Sequence, residues 1–189
     1  FKGMTEEATW LWNDIGTYYG AGATGLMFYE NVQSFEVSAG AEPGADISIS
    51  PSYPETPWME FRYECSTGKA GTGDQLYMYT SALAPVAEVR GTFAVDRKPK
   101  RVDCSNKFPE LTCSYNFKKW LEEHGISCSQ EASDTRLKRV PEPENITIIG
   151  STESPSLRRI AFETNHASNN LYAETLFRTL GKELKAEGS

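Results

Sequence analysis

A hydroxyl and a carboxamide stand two residues apart near the end of the chain, at Ser168 and Asn170. A serine hydroxyl can pass on a proton, and it becomes a nucleophile only when a base removes its own proton. An asparagine amide donates and accepts hydrogen bonds without carrying charge, so it can hold a peptide group in position. Taken alone, a Ser-x-Asn pair most often caps a helix, because both side chains accept hydrogen bonds from free backbone amides there. The pair therefore allows acyl-transfer chemistry or simple capping.

The surroundings of this pair resemble the Ser-x-Asn motif of the class C low-molecular-mass penicillin-binding proteins, which are D-Ala-D-Ala carboxypeptidases and endopeptidases. The resemblance extends from Ser154 to Gly181 and includes the helices predicted before and after the motif. It implies a serine acyl-transfer site that also needs a Ser-x-x-Lys nucleophile motif and a Lys-Thr-Gly strand. In such a site Ser168 would relay a proton or hydrogen-bond the catalytic lysine. Asn170 would hold the substrate amide in line.

The other two motifs of that family have no credible copy in the chain. Residues 66–69 read Ser-Thr-Gly-Lys, but they lie in a Gly-rich turn between predicted strands, whereas the nucleophile should begin a core helix. Residues 69–71 read Lys-Ala-Gly and precede the Ser-x-Asn pair instead of following it. The resemblance thus implies an internal fragment: inserted domain(s) at residues 1–148 and a partial transpeptidase-like catalytic domain at residues 149–189. We expect this fragment to be inactive alone, with Ser168 and Asn170 at a helix–helix joint that faces an unoccupied side.

A second stretch, residues 9–20, resembles the Trp-x-Trp-x-Asp segment that opens the inserted domains of class C enzymes. In that family an aspartate and an aromatic five residues later form a pocket for the diamino acid of the stem peptide. Those positions fall on Asp14 and Tyr19. The chemistry fits, because a carboxylate pairs with a distal ammonium and an aromatic ring packs against its methylenes. Without the resemblance, the same residues would be an exposed aspartate and a core tyrosine.

The elements that must position these residues are predicted by hydrophobic periodicity and turn signals. Short strands separated by turns indicate a mostly antiparallel sheet region, and helical spacing follows later in the chain. The predicted strands cover residues 26–29, 34–38, 46–50, 58–65, 75–80, 86–95 and 145–150. The predicted helices cover residues 115–125, a segment opened by Ser154-Pro155, and residues 170–185. The predicted fold class is therefore α+β. The resemblance implies that its parts are mostly antiparallel β inserted domain(s) plus a helical segment of a transpeptidase/β-lactamase-like domain.

Composition excludes several other functions. The net charge of -7 argues against nucleic-acid binding, which requires an excess of basic residues. The basic run at residues 97–101 contains a proline and is interpreted as a solvated loop. The four cysteines permit two disulfides or free thiols, and without a Cys-x-x-Cys pair a zinc site is not expected. No cofactor or metal is predicted.

The resemblance also implies partners and a location. The partners would be peptidoglycan stem peptides and, for the complete enzyme, β-lactams, and the location would be periplasmic or secreted. The oligomeric state stays open. Two alternatives remain: a noncatalytic cell-wall peptide-binding module, and a structural β domain of a secreted protein. The structural alternative would be favoured if Ser168 and Asn170 were buried and engaged only in helix capping.

Overall fold

Two three-stranded sheets and four α-helices make up the part of the chain described by a computed structural model, residues 5–6, 9–135, 147–148 and 150–185. The strands are β1 Val32–Ser38, β2 Ser48–Pro51, β3 Glu60–Gly68, β4 Asp74–Ser81, β5 Ala84–Ala94 and β6 Lys100–Ser105. The helices are α1 Trp12–Ile15, α2 Pro109–Glu123, α3 Leu157–Ala167 and α4 Asn170–Lys185. Two short 3-10 turns, Tyr18–Gly20 and Tyr29–Asn31, precede β1. The α+β class is confirmed.

The two sheets differ in strand direction. The first has the order β2-β1-β6 and is antiparallel throughout. The second has the order β3-β5-β4, in which β4 and β5 form an antiparallel hairpin but β3 runs parallel to β5. This pairing is possible because the turn at residues 69–73 can span the ~10 Å that separates two strands lying on either side of a third. The sheet region is therefore mostly antiparallel with one parallel pair.

The hydrophobic core lies where the inward faces of both sheets meet. Alternate residues of β1, β4 and β5 point into it, as the twofold repeat of a strand requires. Phe35 also stacks edge-on against Phe61, with the ring centroids 5.1 Å apart. The buried members of the core are Phe35, Val37, Met78, Ala87, Val89, Phe93 and Cys104.

Three sequence predictions of secondary structure are wrong in position. Residues 26–29 form no strand, because the chain enters a left-handed turn over Tyr29–Asn31 and β1 begins only at Val32. The basic run ends inside a strand, since Lys100 and Arg101 open β6 and pair with β1. Helix α2 begins at Pro109, several residues before the predicted start, because proline suits the first turn of a helix.

The start of α3, the strand predicted at residues 145–150, the cysteines and the length of the helices can also be compared with expectation. Helix α3 begins after Ser156, whose hydroxyl accepts a hydrogen bond from the Arg159 amide. Of the strand predicted at residues 145–150, residues 147–148 and 150 are described and belong to no strand, and the other three lie outside the described residues. All four cysteines are free thiols, so neither disulfide is present. None of the described helices has the length and apolar character needed to cross a bilayer.

Candidate functional site

Asp14 and Tyr19 form a hydrogen-bonded unit on α1 and the 3-10 turn that follows it. The Tyr19 hydroxyl donates to Oδ1 of Asp14 over 3.1 Å. Thr17 shapes the turn between them: its hydroxyl donates to the Asp14 carbonyl at 2.6 Å and accepts from the Gly20 amide at 3.2 Å. Burial and the neighbouring Asp14 carboxylate both raise the pKa of Tyr19. The structure thus brings the two predicted pocket residues into direct contact.

Close contacts with the sheets hold this unit in place. The Gly16 backbone lies against β4 so tightly that a Cβ there would be 1.5 Å from the Met78 carbonyl oxygen. Ser105 of β6 binds from the other side, donating its hydroxyl to the Ile15 carbonyl at 2.7 Å and its amide to the Gly16 carbonyl at 2.9 Å. These contacts reach the backbone of residues 15 and 16, so the sheets help to fix the segment that carries Asp14 and Tyr19.

The Ser-x-Asn pair lies at the joint between α3 and α4. Ser168 ends α3 in a left-handed conformation, with φ 51° and ψ 46°. The intervening residue, Asn169, caps α4 by accepting a hydrogen bond from the Tyr172 amide at 3.0 Å. Ser168 and Asn170 themselves are exposed. Because Asn169 performs the capping, their side chains are available for another role.

Asn170 is tied directly to the Asp14–Tyr19 unit. Its Nδ2 donates to the backbone carbonyl of Tyr19 at 3.0 Å, although the two residues are 151 positions apart in the chain. This bond uses one N–H of the amide and leaves the second N–H and Oδ1 for other partners. The two stretches that were predicted separately from the sequence are therefore in direct contact.

A cleft of about 490 Å³ opens between these elements. Of the four predicted residues, Tyr19, Ser168 and Asn170 line it, while Asp14 reaches it only through the Tyr19 hydroxyl. The full lining consists of Tyr18, Tyr19, Glu30 and Val32 on one side and residues 167–171 on the other. The residues at 66–69, by contrast, lie at the end of β3 and in the following turn, and they begin no helix.

Glu30 is a cleft residue that the sequence analysis missed. It sits in the left-handed turn Tyr29–Asn31, and its Oε1 accepts a hydrogen bond of 2.6 Å from the Tyr172 hydroxyl of α4. That bond, together with burial, raises the pKa of Tyr172 to about 12. A single glutamate in a polar segment matches no motif, so only the three-dimensional arrangement reveals it.

Comparison with known proteins places these features in context. The chain matches the sequence model of the D-Ala-D-Ala carboxypeptidase 3 (S13) family over residues 1–189. No curated protein matches it. Its structure is similar to that of penicillin binding protein 4 from Haemophilus influenzae, with a TM-score of 0.75 at 15% identity, over 100% of this chain and 40% of that one. A structure of that protein complexed with a novel β-lactam matches with a TM-score of 0.65 at 16% identity, over 87% of this chain and 36% of that one.

Proposed function

The chain belongs to the D-Ala-D-Ala carboxypeptidase 3 (S13) family, and from this premise we propose that it forms one wall of a serine peptidase active site. It spans about 40% of the length of the similar penicillin binding protein structure. The remaining walls, a Ser-x-x-Lys nucleophile and a Lys-Thr-Gly strand, would belong to other parts of the protein. The activity would be cleavage of D-Ala-D-Ala peptide bonds in peptidoglycan stems.

The proposed reaction proceeds through an acyl-serine. The nucleophilic serine oxygen attacks the carbonyl carbon of the penultimate D-Ala while its proton passes to the catalytic lysine. The peptide C–N bond then breaks, the terminal D-Ala leaves with a proton, and water hydrolyses the ester. Ser168 would relay the proton to the leaving amine, and Asn170 would hold the peptide group through the amide atoms that its bond to Tyr19 leaves available.

The observation that carries this proposal is the shared cleft. Tyr19 lines the same cavity as Ser168 and Asn170, so a peptide held by Asp14 and Tyr19 lies beside the Ser-x-Asn pair. The distal ammonium of a diamino acid would pair with Asp14 while the scissile bond approaches Asn170. Recognition and chemistry are thereby coupled through one hydrogen bond, from Asn170 to the Tyr19 carbonyl.

The same proposal assigns domains, location and inhibitors. Residues 1–148 would be inserted domain(s) of the catalytic unit, and residues 149–189 the segment with which the chain returns to it. The protein would act in the periplasm or outside the cell, where its substrate is found. The β-lactam complex of the Haemophilus influenzae protein supports β-lactam binding by the complete enzyme.

Two measurements on the chain test this function. Fluorescent penicillin should leave it unlabelled, because it offers no credible nucleophile motif. A stem peptide with a free distal ammonium should bind saturably, and Asp14→Asn should weaken binding about tenfold through loss of a charge-assisted contact. Glu42→Gln, which removes an exposed carboxylate from a loop away from the cleft, serves as the matched control. Covalent labelling, or equal effects of the two substitutions, would contradict the assignment.

A second candidate is a noncatalytic peptide-binding module. It is favoured by one observation: the Asp14–Tyr19 unit is complete within this chain. The two functions separate when the chain is combined with the rest of its protein, since only the peptidase then gains hydrolysis that Ser168→Ala reduces. A purely structural role is disfavoured because Ser168 and Asn170 are exposed and neither caps α4.

A further inference from the structure

We propose that Glu30 is a second carboxylate of the cleft and selects stem peptides that carry an alkylammonium group. The inference rests on the proposed function and adds a specificity residue to it. Glu30 lines the cleft together with Ser168 and Asn170, whereas Asp14 is absent from that lining. Among the described residues, Glu30 is therefore the one carboxylate in the lining that also contains the Ser-x-Asn pair.

The charge of the cleft follows from this one residue. Among the described residues that line it, Glu30 carries the single ionisable acid, and none is lysine or arginine. Glu30 is itself exposed, and because no described lining residue carries a positive charge to oppose it, its carboxylate attracts positive ligand groups to the cleft. The lining supplied by this chain thus favours an ammonium and disfavours a second carboxylate.

Tyr172 fixes the direction of the Glu30 side chain. Its hydroxyl occupies Oε1 at 2.6 Å, while Oε2 makes no hydrogen bond within the described part of the chain. Asp14 is arranged in the same way, with Oδ1 held by the Tyr19 hydroxyl. In each case a phenol orients the carboxylate without neutralising it, and Tyr19 borders both the Asp14 contact and the cleft. An ammonium beside Tyr19 would lie in the field of both negative charges.

The backbone under Glu30 is strained in a way that points to function. Tyr29, Glu30 and Asn31 have φ values of 51°, 50° and 52°, a left-handed conformation that L-residues other than glycine and asparagine avoid. Buried Asn31 enforces it: Nδ2 donates to the Gly22 carbonyl at 2.9 Å, and Oδ1 accepts from the Phe28 amide at 3.0 Å. Strained positions that the surrounding structure maintains in this way concentrate at binding sites. Here the strain presents Glu30 to the cleft.

The test compares two synthetic peptides by calorimetry on the chain: Nα-acetyl-L-lysyl-D-alanyl-D-alanine and the same peptide acetylated on its side-chain nitrogen. Glu30→Gln keeps the shape of the side chain and the acceptor for Tyr172. It should weaken binding of the free ammonium peptide about tenfold, as expected for one charge-assisted contact, and leave the acetylated peptide unchanged. Glu42→Gln should change neither affinity.

The outcomes separate this inference from the function on which it rests. If wild type binds the ammonium peptide and Asp14→Asn weakens it but Glu30→Gln does not, the role of Glu30 is wrong and the proposed function stands. If Glu30→Gln weakens both peptides equally, Glu30 is structural and the inference is overturned. If wild type binds neither peptide, the proposed recognition itself fails.

Discussion

Individual residues around the cleft adopt backbone conformations that their side chains do not favour. Within the described ranges, the non-glycine residues at positive φ are Tyr29, Glu30, Asn31 and Ser168. Glu30 and Ser168 line the cleft, and the other two flank Glu30. Each of these residues except asparagine costs about 1 to 2 kcal/mol relative to an ordinary conformation. The backbone conformations of Glu30 and Ser168 therefore lower the stability of the fold at positions where the proposed chemistry requires these side chains.

Replacing Ser168 with glycine tests this trade-off. Glycine adopts a φ of 51° without steric cost, so Ser168→Gly should raise the free energy of unfolding by roughly 0.5 to 1 kcal/mol. Urea denaturation measures the change. Ser156→Gly makes the same chemical change at the N-cap of α3 and should lower stability by a few tenths of a kcal/mol through loss of the cap. A decrease for both variants would show that Ser168 is not strained.

At this scale the sequence predicts the site only where residue types keep a family spacing. Ser168 and Asn170, and likewise Asp14 and Tyr19, can be selected because each pair has a characteristic separation. Their meeting in one cleft depends on a contact across 151 positions, which no local pattern contains. Glu30 stands alone in a polar segment and acquires its significance only from α4 packing above it.

At the scale of elements, α4 is the helix that closes the site. Its first two turns contact the segment before β1 through three side chains. Asn170 binds the Tyr19 carbonyl, Tyr172 binds Glu30, and Thr175 lies 3.3 Å from the Met27 sulfur. Contacts at successive turns fix both the rotation and the height of the helix, and hence the direction of the Asn170 amide.

The Tyr172–Glu30 bond makes this docking sensitive to alkaline pH. In the folded protein the pKa of Tyr172 is about 12, above the ordinary value of 10. The bond therefore contributes fully to stability below pH 10, and this contribution is lost as the pH rises towards 12. Absorbance titration should reveal one phenol that ionises near pH 12 in wild type and is missing in Tyr172→Phe. The variant should also lose less stability between those pH values. Tyr63→Phe, on β3 and away from the cleft, is the control; an unchanged titration curve in Tyr172→Phe would refute the assignment.

Most elements could be predicted from periodicity, and the failures have physical causes. Strand β3 alternates polar and apolar residues up to Cys65, and β4 and β5 are apolar segments that follow turn signals, so the positions of all three follow from the sequence. Strand β6 escapes prediction because Lys100 and Arg101 at its start suggest solvent exposure, although its backbone pairs with β1. The turn at Tyr29–Asn31 contains no glycine to announce its positive φ values. The parallel pairing of β3 with β5 depends on the distance that the turn at residues 69–73 can span, and no sequence pattern in either strand indicates it.

At the scale of the whole molecule, a buried ion pair joins distant parts of the chain. Lys107 follows β6, and its Nζ lies 2.9 Å from Oε1 of Glu6 and 3.3 Å from the Gly20 carbonyl. It therefore links the beginning of the chain to the turn that carries Tyr19. Burial lowers the pKa of Lys107. Burial is the largest single influence on Glu6 and would raise its pKa, but the positive charge of Lys107 and the hydrogen bonds from Thr5 and Lys107 together outweigh it, so the Glu6 pKa lies below its ordinary value.

The contribution of Glu6 to the pH dependence of stability should change sign when Lys107 is removed. In wild type the lowered Glu6 pKa contributes stability above the ordinary value of 4.5, and this contribution is lost as the pH falls below it. Lys107→Met removes the counter-ion, so burial should raise the Glu6 pKa and stability should then fall as the pH rises through that range. The variant should lose about 3 to 5 kcal/mol at neutral pH. Urea denaturation at several pH values measures both effects.

The double variant Glu6→Gln/Lys107→Met supplies the control. With both buried charges gone, most of the lost stability should return and the contribution of this pair to the pH dependence should vanish. If Lys107→Met alone kept the wild-type pH slope, Glu6 would not be the group responsible.

The strand order of the second sheet has a consequence for folding kinetics. Strand β5 is central, yet it follows both of its neighbours in the chain. It can meet β4 at once through the two-residue connection at 82–83, and such hairpins form within roughly 1 to 10 μs. Within this sheet β3 pairs with β5, which comes later in the chain than both β3 and β4. We therefore expect the hairpin to form first and β3 to add to it afterwards. We expect this addition of β3 to follow the transition state for folding, so truncating a β3 residue such as Phe61 should speed unfolding more than it slows folding.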